Sequence, residues 1–502
     1  MYYPIYIKVT SMKQIKSYNP NQTYFITFNP FEKFSNSSLE MVVHNIIEKH
    51  VDIKTFLEQM NNKNKGQKAI SPKILLKVIF YAYCSGIYSS RTIEEYLNNH
   101  LSFIFLADYN IIDHSTICRF INRYSKQIQQ VFSKVLYICY KSNLVNLDMI
   151  CIDGSKIRAN AHSEWTGNKK EFSKLKDKLE QRIAKLIERQ KRIDQQESNT
   201  DNLIKYKNKI ERQKKKYDAV ITKIDKFMNE LDAEDKKNKI NLVDPDSRLQ
   251  KGENGKYFEG YNAQVVANEK IIISYDINNH QSDRNELFPM MELTGKSLKH
   301  LGISETKIKE LKVLADAGYR NNDHMGKLNT KGYDMYIRVN PKKDDKDTNK
   351  IGSEACRILK KKGEKFLVCP GGRLLKTKGV VKEHGKNLYR FFASRGGCLK
   401  CKYYKKCWNE NNKSSSKKFS MLQSVYDNYF VYKNMQRKLD SIEGKDIYNQ
   451  RLGMIERVFG QIKSNRRFKK FYHRGIEKVS TIWSIVCTSY NINKLCSSDI
   501  II

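Results

Sequence analysis

Acidic residues are scarce in this sequence. Its 502 residues hold 54 Asp and Glu against 92 Lys and Arg, a formal charge of +38. That excess goes beyond what solubility requires and points to a polyanionic partner, nucleic acid before an anionic membrane. A bias toward Lys, Asn and Ile explains lysine over arginine, but not the missing acids. Long apolar runs are lacking too: none approaches the roughly 18 residues of a membrane span. The first residues, MYYPIYIKVTSMKQIK, lack the charged-then-apolar order of a secretion signal. An even cysteine framework is also missing. The eleven cysteines, several in apolar segments (Cys84, Cys139, Cys487), suit a reducing, cytoplasmic setting rather than a disulfide scaffold. The hydrophobic share of 40% makes the chain globular, with length for two or three domains and one sizeable core.

After weak signals over residues 1–70, Ser71-Pro72 marks a helix start, and two or three helices follow, broken near Gly86. Asp113 is an N-cap opening a single helix through ICRFINRYSKQIQQVFSKVLYICY, with Ile117, Phe120, Ile121 and Tyr124 as its apolar face. Arg119, Arg123 and Lys126 lie off that face. A short helix, a turn and a basic second helix resemble helix-turn-helix docking, which makes residues 1–145 a candidate DNA-binding domain with Arg119 and Arg123 as contacts. The alternative is a helical scaffold with a solvated basic face.

From residue 146 the pattern changes. Met149–Ile152 is a short apolar run that reads as a buried strand ending in the acid and turn Asp153-Gly154-Ser155. Residues 164–240 carry apolar positions at 3–4 spacing in two blocks around the polar break ESNTDN, an antiparallel coiled-coil hairpin inserted into the domain. YFEGYNAQVVANEKIIISYDINN then gives two strands around Asn268-Glu269-Lys270. A crossover helix containing Pro289, the strand KVLA ending at Asp316, a small helix and the strand DMYIRV follow. This order belongs to a mixed sheet with helices on its faces, of α+β or α/β class. Residues 341–445 form a second insertion, basic and turn-rich, with Cys369, Cys398, Cys401 and Cys407. These four cysteines read either as a Cys₄ Zn²⁺ site of loose spacing or as reduced thiols in a small β subdomain. A helical block closes the chain.

Within that block YNQRLGMIERVFGQIK is an amphipathic helix with one acid, Glu456. At about 100° per residue, Leu452, Ile455, Phe459 and Ile462 share the core arc. The same count places Glu456 with Lys463 and Arg467 on one flank, and Arg451 on the other. Phosphodiester cleavage by two ions about 3.5–4 Å apart needs a carboxylate cluster, and hard ions such as Mg²⁺ accept two or three carboxylates plus water. Two strand-end acids, Asp153 and Asp316, and a helix-borne Glu456 can supply that cluster, with Lys463 and Arg467 on the flanking phosphates.

SPKILLKVIFYAYCSGIYSSRTIEEYL, DHSTICRF, DGSKIRANA, GYNAQVV, LADAGY, the cysteine pattern, and ERVFGQIK followed by HRGIEKV together resemble a DDE-type transposase of a bacterial insertion sequence. The resemblance runs from about residue 70 to the end. It implies a ribonuclease H-like catalytic core over 146–502, interrupted by the two insertions. It further implies Asp153, Asp316 and Glu456 as catalytic ligands of two Mg²⁺ (or Mn²⁺) ions, with double-stranded DNA as substrate and a dimer or higher multimer holding two element ends. It also brings a motif of Tyr, Arg, Glu and Lys, which Tyr448, Arg451, Glu456 and Lys463 fit except that four residues rather than three separate Arg451 from Glu456. Two other readings remain: a DNA-binding protein derived from a transposase and no longer catalytic, and a metal-dependent nuclease without strand transfer.

Overall fold

The computed structural model describes residues 29–59, 69–194, 201–230, 239–252, 254–338, 351–361, 363–408 and 416–498. The N-terminal part is helical: α1 (Leu39–His50), α2 (Pro72–Cys84), α3 (Ser90–Asn99), α4 (His114–Arg123) and α5 (Ser125–Lys141). Ser71 and Pro72 open α2 as expected, since Pro at the first position loses no helical hydrogen bond. The Asp113 carboxylate caps α4, accepting from the Thr116 N–H at 2.9 Å. The single long helix expected after Asp113 is two helices. The break falls at Tyr124, whose ψ of 31° leaves the helical range. Nothing in the local sequence forces it. Tertiary packing does: the Tyr124 ring is buried against Phe56 and Phe120 and anchors the chain as it turns.

The sheet is built from β1 (Met149–Arg158), β2 (Tyr257–Ala267), β3 (Ile272–Asn278), β4 (Lys312–Ala315) and β5 (Asp334–Ile337). Their order is β3–β2–β1–β4–β5, and the short strand Arg248–Lys251 pairs with the start of β2. The first three pair antiparallel; β4 and β5 run parallel to β1. This mixed sheet is consistent with a ribonuclease H-like core. β1 does not end at Asp153. It continues to Arg158 because β2 offers a partner along its whole length, from Cys151 opposite Ala267 to Arg158 opposite Gly260.

Between β1 and β2 the chain leaves as α6 (Lys169–Asp194) and returns as α7 (Asp201–Glu230), packed through a small separate cluster of Phe172, Leu179 and Ile224 with Leu242 from the segment that follows. The polar break is only partly described. α8 (Leu287–His300) follows β3, and Pro289 sits in its first turn, where a missing N–H costs nothing. α9 (Asn322–Thr330) joins β4 to β5.

Residues 351–422 form two three-stranded antiparallel sheets with a separate hydrophobic cluster that includes Phe391 and Phe419. The insertion does not extend to residue 445. α10 (Tyr429–Asp440) lies against β5 and α9, and its Met435 belongs to the main core. α11 (Ile442–Phe459) passes into a π-helical turn at Gly460–Asn465, and α12 (Ile476–Cys496) closes the fold.

α12 packs on β3 on one side and on α2 and α5 on the other, so the N-terminal helices and the sheet share one continuous core. No helix among the described residues is long and apolar enough to cross a membrane. A test follows from the shared core. Trp483 is fully buried and its Nε1–H donates to the Gln264 carbonyl at 3.2 Å. Trp483→Ala is expected to cost about 3–5 kcal/mol. Helical and sheet signals should melt together at the lowered temperature; separate transitions by circular dichroism and calorimetry would contradict a common core.

Candidate active site

The parallel pairing of β1 with β4 ends at Ile152 opposite Ala315. The next residue on each strand is an aspartate, Asp153 and Asp316, so the two carboxylates stand on neighbouring strands roughly 4.8 Å apart in backbone spacing. Different devices hold them. Asp153 stays in the sheet, paired with Val265, and its Oδ1 accepts from the Gly154 N–H at 2.8 Å. Asp316 leaves the sheet and caps the 3₁₀ turn Ala317–Tyr319, accepting from the Gly318 N–H at 2.8 Å.

Burial pushes the Asp153 carboxyl up to about 7; the neighbouring Asp316 and Asp283 charges add to this, while the Gly154 N–H and Arg451 oppose it. Tyr319, buried beneath, has its hydroxyl held well above the usual phenol range, by burial first and then by Asp153, Asp283 and Asp316.

The network under the two acids was missed in the sequence. Asp283 Oδ1 accepts from Asn262 Nδ2 (2.7 Å), Gln264 Nε2 (2.8 Å) and Lys156 Nζ (3.1 Å), and the Tyr319 hydroxyl donates to Gln264 Oε1. Gly154 is required here, because a Cβ on it would lie 2.2 Å from Gln264 Nε2. The signal was present. Asn262 and Gln264 sit among apolar neighbours in a buried strand, and buried amides need partners.

The helix residues are arranged differently from the angular count. Met454, Ile455 and Val458 are buried and Leu452 is 49% exposed, so the core face is centred elsewhere. Arg451 belongs to the inner face: its side chain is only 14% exposed and its Nη1 lies 3.6 Å from Asp153 Oδ2. Arg451 Nε and Nη1 are buried without a hydrogen-bond partner. Tyr448 lies beside it, with the Arg451 guanidinium 6.0 Å from its ring centroid, and both line a cavity of about 400 Å³. Glu456 is exposed, and among the described residues no three Asp, Glu, His or Cys side chains form a group able to hold a metal ion. The structure thus brings Asp153, Asp316, Arg451 and Tyr448 together and does not bring Glu456 to them.

Beyond residue 459 the count of 100° per residue fails, because a π-turn carries more residues per turn. Lys463 and Arg467 part company: Arg467 is exposed at φ +58°, and Lys463 lines a groove of about 510 Å³. That groove starts at Gly154 and Ser155, next to Asp153, and its wall includes Lys156, Arg158, Lys251, Lys256, Lys469 and the exposed ring of Tyr257, with Ile157, Phe258 and Phe468 among the rest. In the N-terminal part Arg119 and Arg123 are exposed on α4; Arg119 Nη2 donates to Thr116 Oγ1 at 3.1 Å and Arg123 donates to the Gln59 carbonyl.

Two stretches match known families. Residues 368–496 match a family described as "Transposase DDE domain", and residues 32–123 match a "Transposase domain (DUF772)". No curated protein matches the chain. Both matches support a DDE-type transposase of an insertion sequence, and DNA is the partner such enzymes act on. Glu456, Lys463 and the four clustered cysteines fall inside the first match and Arg119 and Arg123 inside the second; Asp153 and Asp316 fall in neither.

The raised Asp153 carboxyl has a measurable consequence in chelator. Its folded value lies above the unfolded one, so the unfolded chain ionises first and stability falls as pH rises from about 4 to about 7. Asp153→Asn removes this penalty. Discounted for partial exposure and for the partner lost to Arg451, the gain over wild type is about 1–2 kcal/mol above pH 7, vanishing toward pH 4. Thermal melts at pH 4.5, 6 and 8 check it; a gain independent of pH would contradict the assignment.

Proposed function

We propose that the protein binds the terminal inverted repeats of an insertion sequence as a dimer or higher multimer, cleaves DNA at the element's ends and joins the freed 3′-hydroxyl to target DNA. The observation that carries this is the pairing of Asp153 and Asp316 at the end of the parallel β1–β4 ladder, in a chain with two transposase-domain matches. Two adjacent carboxylates fit a hard divalent cation that keeps water as its other ligands, and the cation's charge would offset the burial that disfavours the ionised Asp153.

Asp153 and Asp316 would hold Mg²⁺ or Mn²⁺, and Glu456, exposed and apart from them in this structure, would have to turn toward them to serve as the third carboxylate. The ion supplies Lewis acidity at the phosphate and lowers the pKa of the attacking water or hydroxyl. The chain's own part is positioning. Gly318 and Gly154 N–H groups orient the two carboxylates. The groove walled by Lys156, Arg158, Lys256, Lys463 and Lys469 leads away from Asp153 and fits a strand's phosphates. Arg451 and Tyr448 border the carboxylates on the other side, with Arg119, Arg123 and Arg467 as outlying DNA contacts.

Asp316→Asn is expected to abolish cutting of terminal-repeat DNA in Mg²⁺, and Glu456→Gln should do the same while leaving DNA binding intact. Residual cutting above one part in a hundred by the Asp316 variant would refute the site. A paired-end substrate separates the class-level alternatives: a decayed binding protein cuts nothing, a plain nuclease cuts without joining, and a transposase does both.

A further inference from the structure

We propose that Cys369, Cys398, Cys401 and Cys407 form a tetrathiolate site for one structural Zn²⁺ in the Cys-containing unit, apart from the carboxylates. All four thiols are free and line the same cavity. They come from three separate pieces of chain. Cys369 begins a tight turn closed by the Gly372 N–H donating to its carbonyl at 2.8 Å. Cys398 begins a second turn of the same span, closed by the Cys401 N–H donating to its carbonyl at 2.9 Å. Cys407 ends the short helix Tyr404–Cys407. Two such turns facing each other put sulfurs around a common centre, and their convergence is visible at Gly371. A Cβ there would lie 2.6 Å from Cys401 Sγ and 3.7 Å from Cys369 Sγ.

The surroundings fit a thiolate centre rather than four neutral thiols. Four thiolates and one Zn²⁺ carry a net charge of −2, and Arg373 and Lys417 line the same cavity. Trp408 also lines it, is 5% exposed, and its Nε1–H is buried without an acceptor. A thiolate sulfur is an acceptor of the kind that outer-shell donors serve around such sites. The space between the thiols is about 20 Å³, room for one water-sized sphere, a size compatible with a single ion.

The thiols are not closed to ligand separation in this structure, and among the described residues no three-ligand group is. Binding therefore includes inward rotation of the Cys side chains, and it releases the four thiol protons to solvent. The two sheets over residues 351–422 have a small hydrophobic cluster, and a metal crosslink between their turns would supply the stability such a core lacks.

The full chain, purified without chelator, is expected to carry one zinc per polypeptide by elemental analysis. A thiol reagent in the native protein should find four more reactive cysteines after a chelator such as 4-(2-pyridylazo)resorcinol has removed the metal. Cys398→Ser/Cys401→Ser should fall below a fifth of the wild-type zinc, with Cys118→Ser unchanged. If the double variant fails to fold, the wild-type thiol count and the thiolate–cobalt absorption after Co²⁺ exchange still decide. Wild-type protein with no zinc, with iron in its place, or with zinc retained by the double variant would overturn the proposal.

Discussion

The structure depends on one helix, α12, being buried on every side. From Val479 to Ile492 nearly every residue is inaccessible, including Thr481, Ser484, Thr488, Ser489 and Asn491. Burying polar groups is costly unless each is paired, and most here are. Asn491 clamps the start of β3, accepting from the Ile272 N–H at 2.9 Å and donating to the Ile272 carbonyl at 2.8 Å. Tyr275 donates to Ser484 at 2.6 Å, and Thr481 lies 2.5 Å from Ser125 of α5. The helix is thereby registered against the sheet on one side and the N-terminal helices on the other. Because the sheet is registered, Asp153 and Asp316 are too.

The same construction explains why the carboxylates can be neighbours at all. Two acids side by side at a partly buried sheet edge repel each other and lose hydration. The fold tolerates this because the surrounding groups are fixed by other demands: β1 is paired on both sides, and the Asn262–Gln264–Asp283–Tyr319 network fills the opposite face through hydrogen bonds that satisfy one another. The raised Asp153 carboxyl is the residual strain of that arrangement, the kind of perturbation that clusters where chemistry is done.

Much of this was legible in the residues. The succession of strands along the chain, the Asp113 cap, the hairpin at 268–270 and the end of β4 just before Asp316 follow from short apolar runs bounded by turn residues, which local sequence encodes well. What local sequence did not encode was set by distant contacts. The Tyr124 break goes with packing on Phe56, the length of β1 with a partner about a hundred residues later, and the end of the second insertion with α10 docking on β5. On α11 the error was to count Leu452 as core and to assume unbroken α-helix past Gly460. That count sets Glu456 at the border of the core; in the structure Glu456 is exposed and Arg451 lies against Asp153.

That exchange bears on how α11 can serve the chemistry proposed for it. Arg451 and Glu456 are five residues apart, about 140° around an α-helix, so a single α-helical register cannot turn both toward the sheet edge. The spacing expected from related transposases has one residue fewer, which brings the pair to about 40°. A π-turn takes up one extra residue. In this structure that turn lies at Gly460–Asn465, beyond Glu456, and Arg451 holds the inner position, its Nη1 ion-paired with Asp153 at 3.6 Å and its Nε buried without a hydrogen-bond partner. Were the turn placed between the two residues, Glu456 would swing inward beside Arg451. At Gly453, between the two residues, and at Gly460, beyond them, a Cβ would meet nothing within 4 Å. Packing does not require them, and in a helix each costs about 1 kcal/mol relative to Ala. Arg451 against Asp153 and Glu456 at the surface are thus what an unbroken α-helix between them dictates.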